Sequence, residues 1–164
     1  MAPLRLADLP GEWRDANDFE PVFGDCPQLP GVADEFDQVV YGNDRHWVFQ
    51  VVGRADEPER RMDEAAEHAQ ECRPEPEGEM SADIRPLELP SRGDRTVGMH
   101  VEGTADDGDG GSRFAVDIAY VQLADVVSAL GVVSSPDRPT ARPPVELLDD
   151  LVERAIRRMT GEAP

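Results

Sequence analysis

The side chains able to do chemistry are few, and their spacing closes off most reactions. The chain holds three histidines, His46, His68 and His100, and two cysteines, Cys26 and Cys72. His68 and Cys72 stand one helical turn apart, a spacing that can put two metal ligands on one helix face. No second pair completes a tetrahedral set, and Glu67 and Glu71 make the surroundings of His68 read as solvated helix, so no metal is expected. Asp107 and Asp109 in DDGDGGS start like a calcium loop. Gly111 then takes the third ligand position, Ser112 the glycine position and Ile118 the closing glutamate position, so a hairpin loop is expected instead. Gly108, Gly110 and Gly111 lie in that acidic turn with no lysine, which repels phosphate rather than cradling it. Ser128, in DVVSALG, has no nucleophile-elbow context. Acidic neighbours raise a thiol pKa, so neither cysteine has a nucleophile's setting. His46 and His100 fall in predicted strands, where either can meet a carboxylate such as Asp117 across the sheet and read as a satisfied structural histidine. No catalytic residue and no cofactor are expected, and the chain reads as non-enzymatic.

The charge narrows the partners. Thirty-five Asp and Glu against 16 basic residues give a formal charge of −19. Such a surface repels nucleic-acid backbones and anionic lipid, which argues against both as partners. All 16 basic residues are arginine. With the abundance of Ala, Gly, Pro, Val and Asp, this fits a high-G+C bacterial source, with salt adaptation the rival explanation of the acidity. No run approaches the roughly 20 apolar residues of a membrane span. No signal peptide follows Met1, so the chain is either cytosolic or the remainder of a longer exported one.

Cys26 and Cys72 bear on that choice. Both sit in polar, proline-flanked stretches, GDCPQLP and QECRPEP, whereas structural free cysteines prefer apolar surroundings. A disulfide between them is favoured over two free thiols, would stabilise by about 3 to 4 kcal/mol on the chain-entropy account, and would place the protein outside the cell.

The elements that must position these residues follow from periodicity. The organising stretch is Arg113–Val133, in which Phe114, Val116, Ile118 and Tyr120 alternate with Arg113, Ala115, Asp117 and Ala119. That predicts a strand with one buried face, returning through Val126–Val133 as a central hairpin. Residues 4–13 read as one helical turn ended by Pro10-Gly11, and residues 14–34 as an irregular loop. Phe36–Tyr41 and His46–Val52 read as strands joined by the turn Gly42-Asn43-Asp44-Arg45. A helix capped near Asp56 carries Met62, Ala65, Ala66, Ala69 and Cys72 on one face. After an acidic linker over residues 74–81 come the strands Ile84–Leu89, marked by Pro86 as an edge, and Arg95–Gly103. A proline-rich linker over residues 134–144 precedes a last helix whose stripe is Leu148, Leu151, Val152, Ala155 and Met159, acidic early and basic late. This order predicts a single α+β domain over residues 1–164: one antiparallel sheet of about six strands with helices packed on one face.

Three stretches carry a resemblance. LRLADLPGEW, through Leu6, Asp8, Leu9, Pro10 and Trp13, resembles the opening of actinobacterial cell-envelope lipoproteins and of the PknH-type extracellular sensor domain. ADEPERRMDEAAEHAQEC is similar to that family's helix ending in a cysteine, and AYVQLADVVSALGVV with LLDDLVERAIRRM to its closing hairpin and terminal helix. The resemblance implies an α+β domain held at the cell surface by an upstream anchor, a disulfide bond, and sensing of a small molecule or envelope protein rather than catalysis. Trp47, Phe49, His100 and Tyr120 are the candidate ligand-binding residues, each of which also reads as core. The alternative is a cytoplasmic acidic interaction protein, an inhibitor, immunity or adaptor protein steered onto a basic partner.

Overall fold

The computed structural model describes residues 2–16, 35–71, 80–105, 112–134 and 145–161. Seven strands and two helices follow in the order β1 (Arg14–Asp15), β2 (Phe36–Gly42), β3 (His46–Arg54), α1 (Pro58–Glu71), β4 (Met80–Leu87), β5 (Arg95–Ala105), β6 (Ser112–Leu123), β7 (Val126–Ser134) and α2 (Val145–Thr160), with a short 3-10 turn at Leu6–Asp8 ahead of them. All neighbours are antiparallel, and the sheet order is β1-β2-β3-β7-β6-β5-β4. The chain builds β1 to β3 as one meander and crosses the sheet with α1. It then returns from the far edge through β4, β5 and β6 until β7 pairs with β3. The expected α+β class with a single antiparallel sheet is what the structure has, and the β6–β7 hairpin stands at its centre.

Two features differ from the sequence expectation. A seventh strand, β1, lies inside the stretch read as irregular loop; two residues are too short to show a period, and only pairing with Gly42 and Tyr41 defines them. The helices also take opposite faces rather than one. Met62, Ala65 and Ala69 of α1 pack with Phe49, Ile84, Met99, Val101, Val116, Ile118, Tyr120 and Val133. Leu148, Leu151, Val152, Ala155 and Met159 of α2 pack with Val48, Val52, Ala119, Val121, Leu130 and Val132, and with Leu4 and Leu9 of the N-terminal segment. The reason lies in β6. Ala115, Asp117 and Ala119 read as an outer face, yet all three are buried. Ala119 is small enough to let the leucines of α2 settle onto the sheet.

Burial on both faces explains why β7 lacks alternation: all nine of its residues are buried, as expected for a central strand covered on each side. Gly131 is what lets one row close. A Cβ there would lie 2.1 Å from the Phe49 ring, so the aromatic lies across the glycine of its cross-strand partner. The opposite face is pinned by polar groups. The Leu4 N–H donates to Gln50 Oε1 at 2.7 Å, Gln50 Nε2 donates to Ser128 Oγ at 3.0 Å, and the Tyr41 hydroxyl donates to the Leu4 carbonyl at 2.9 Å. These satisfy groups that would otherwise be costly to bury and fix the N-terminal segment as the second cover of that face.

The two sheet edges are unlike. Pro86 sits in β4, the outermost strand, as its missing N–H requires. At the other edge β1 covers the end of β2, and among the described residues its pairing extends to the Ala16 N–H to Val40 carbonyl bond of 3.0 Å.

Candidate functional site

The structure divides the four candidate ligand-binding residues between the two faces. Trp47, Phe49 and Tyr120 lie on the α1 side; His100 lies on the α2 side. Phe49 and Tyr120 are 2% and 1% exposed, so both are core, and Trp47 is half-buried beside them. The Tyr120 hydroxyl is buried without a hydrogen-bond partner among the described residues, and burial pushes its pKa well above the ordinary tyrosine value. Cys26 and Cys72, and with them the expected disulfide, lie outside the described residues.

His100 does meet Asp117. The two are directly opposed in the β5–β6 register, and the Nδ1–H of the imidazole donates to Oδ1 of the carboxylate. Asp117 is fully buried and His100 is 6% exposed. The other ring nitrogen stands 3.8 Å from Oε2 of Glu102, which in turn accepts from Arg85 at 2.9 Å. A histidine held by a buried aspartate has two of the three members of a triad. The hydroxyl nearest in register, that of Ser134, is engaged elsewhere, donating to the Ala115 carbonyl at 3.0 Å and accepting from the Ala115 N–H at 3.2 Å. That hydroxyl is therefore not free to serve the pair as a nucleophile, and the pair ties β5 to β6.

A shallow cleft of about 160 Å³ lies between the N-terminal turn and the last turns of α2, lined by Ala7, Asp8, Asp150, Glu153, Arg154, Arg157 and Arg158. Its charges answer one another. Arg154 Nε donates to Asp150 at 2.9 Å and Nη1 to the Asp8 carbonyl at 2.9 Å; Arg157 pairs with Glu153; Arg158 Nε stands 3.4 Å from the Asp8 carboxylate. Three guanidinium groups face three carboxylates, and Arg158 Nη2 is buried with no hydrogen-bond partner among the described residues. The cleft fastens the N-terminal segment to α2. No group of three or more His, Cys, Asp or Glu side chains suited to a metal ion occurs among the described residues.

Among the described residues an exposed apolar corner lies at the outer end of β2, which the sequence did not single out. Phe36 is 55% exposed, the most exposed large hydrophobic among the described residues, with Leu6 next at 37%. Gln38 beside it is exposed, and Val51, opposite Gln38 on β3, is half-buried. The only signal for the corner was that a strand opens on an aromatic. Its exposure follows from strand order, which makes β2 nearly the last strand of the sheet.

No protein-family model matches the chain, and no curated protein matches it. No helix among the described residues is long and apolar enough to cross a membrane.

Proposed function

We propose that this chain is a non-enzymatic binding domain of a bacterial cell envelope, displayed outside the membrane as in actinobacterial lipoproteins and PknH-type sensors, and that it engages its partner at the outer corner of β2. The observation that carries this reading is the exposure of Phe36. Both faces of the sheet are occupied by helices or by the N-terminal segment, and the far edge is blunted by Pro86 and the charged pair Asp83 and Arg85. The exposed Phe36 ring beside half-buried Val51 is taken as the contact surface of this open corner. A small envelope molecule remains within the reading, since Val51 and Gln38 give the corner an apolar floor with a polar rim.

The test has two parts. Fractionation of producing cells, with a non-reducing mass measurement of Cys26 and Cys72 from the envelope, is expected to find the protein outside the cytoplasm with the two cysteines bonded. A photo-crosslinking residue placed at position 36 is expected to capture an envelope component, whereas one at exposed Arg54 is not. Protein found only in the cytosol with two free thiols supports the second reading. This is an acidic cytoplasmic interaction protein, favoured by the charge of −19 and the basic partner it implies.

A further inference from the structure

We infer that the partner engages this corner as an extended, positively charged polypeptide segment that adds a strand to the outer edge of β2. The inference rests on the binding reading above and gives its site a mode and a chemistry.

The backbone supplies the first argument. In an antiparallel ladder, residues whose main-chain groups point to one neighbour alternate with residues that point to the other. The Val40 carbonyl accepts the Ala16 N–H, so Val40 faces outward toward β1. Two and four residues earlier, the N–H and C=O groups of Gln38 and Phe36 face outward too, and among the described residues no strand pairs with either on that side. Outward-facing edge groups with no partner among the described residues can template a further strand.

The two edges supply the second. On β4 a proline removes an edge donor, and Asp83 and Arg85 line one side of the strand as an ion pair of 3.0 Å. These are the devices by which edges avoid pairing. The outer part of β2 has no proline. It places the side chains of Phe36 and Gln38 on the same face as Val51, so an added strand would lay alternate side chains against an apolar surface.

Charge selects the occupant. Glu35 and Asp37 flank Phe36, and both are exposed. On a chain of charge −19, a second copy would bring like charge to like charge, while an arginine- or lysine-bearing segment is drawn in.

The full-length protein is to be titrated with the alternating hexapeptide Arg-Val-Arg-Val-Arg-Val in 0.15 M salt, where long-range attraction is screened beyond about 8 Å. Arg-Pro-Arg-Pro-Arg-Pro, of equal charge and unable to form a ladder, is the control. Amide hydrogen exchange at Phe36 and Gln38 is expected to slow at least tenfold with the first peptide only. Phe36→Ser and Gln38→Pro, which touch no ladder bond to β3 and leave the charge unchanged, are each expected to weaken binding at least tenfold. Equal binding of both peptides, protection elsewhere, or indifference to both substitutions overturns the inference, and so does concentration-dependent dimerisation through β2. If the peptide fails while crosslinking at position 36 still captures an envelope component, only strand addition falls. If both fail, the binding reading falls with it.

Discussion

His100 and Asp117 face each other across β5 and β6 as a hydrogen-bonded, buried pair, roughly at the level where the sheet passes from the apolar ground beneath α2 to the charged end at Glu102 and Arg85. The arrangement has the first two parts of a catalytic relay and serves as a clasp. Strand pairing fixes both backbones, and the carboxylate is buried among apolar strands where a lone charge is costly.

Removing Asp117 takes away the buried carboxylate to which the His100 Nδ1–H donates. Asp117→Leu alone is expected to cost about 3 to 5 kcal/mol in urea denaturation, and the double variant with His100→Phe markedly less. Single-variant costs that simply add, to within about 0.5 kcal/mol, would show that the two side chains are energetically independent.

Tyr120 gives a prediction of opposite sign. Its hydroxyl is buried with no partner among the described residues, and a buried unsatisfied group costs about 1 to 3 kcal/mol. Tyr120→Phe is expected to stabilise the protein by about 1 kcal/mol near neutral pH. Burial also raises the Tyr120 pKa. Above pH about 10 the unfolded phenol therefore ionises while the folded one stays protonated, and wild-type stability falls as pH rises. Tyr41 adds to the same loss, being raised first by burial and then by Asp15 and Asp8. The advantage of the phenylalanine variant should widen from pH 8 to pH 10.5; an unchanged or shrinking gap contradicts the assignment.

His46 sets an acid limit. Desolvation first, and then the charge of Arg45, lower its pKa, and its Nδ1 is buried with no partner among the described residues. Above about pH 6.5 both states are neutral and no cost arises. Below that value the unfolded histidine takes up a proton that the folded one resists, so stability falls as the pH drops. The many carboxylates respond to acid as well, so the informative quantity is the difference from His46→Gln. Melting curves should lie closer together at pH 7.5 than at pH 5, with the variant relatively more stable at the lower pH. Parallel curves across that range would remove His46 from the account.

How much of this was readable in advance is clearest from particular residues. Pro86 announced an edge strand, because a residue without an N–H cannot serve a ladder on both sides, and β4 is the outermost strand. The stripe Leu148, Leu151, Val152, Ala155 and Met159 announced α2, and all five are buried. Asp117 was named as a possible partner of His100, and the register of β5 on β6 makes it so. Ala115 and Ala119 misled: small residues alternating with large ones look like an exposed face, and nothing local tells an alanine in water from one beneath a helix. Trp47, Phe49, Tyr120 and His100 were grouped by residue type, but the parity of each in its strand separates His100 from the others.

The sequence by itself determined the elements, their order and the acidity of the surface, because periodicity, turn chemistry and charge act over a few residues and are written locally. Only the tertiary structure decided that α1 and α2 take opposite faces, that β7 is buried on both sides, and that Phe36 is left at an open corner. Each of these depends on which strand lies beside which. That order is set by the joint burial of residues far apart in the chain, and no window of the sequence contains it.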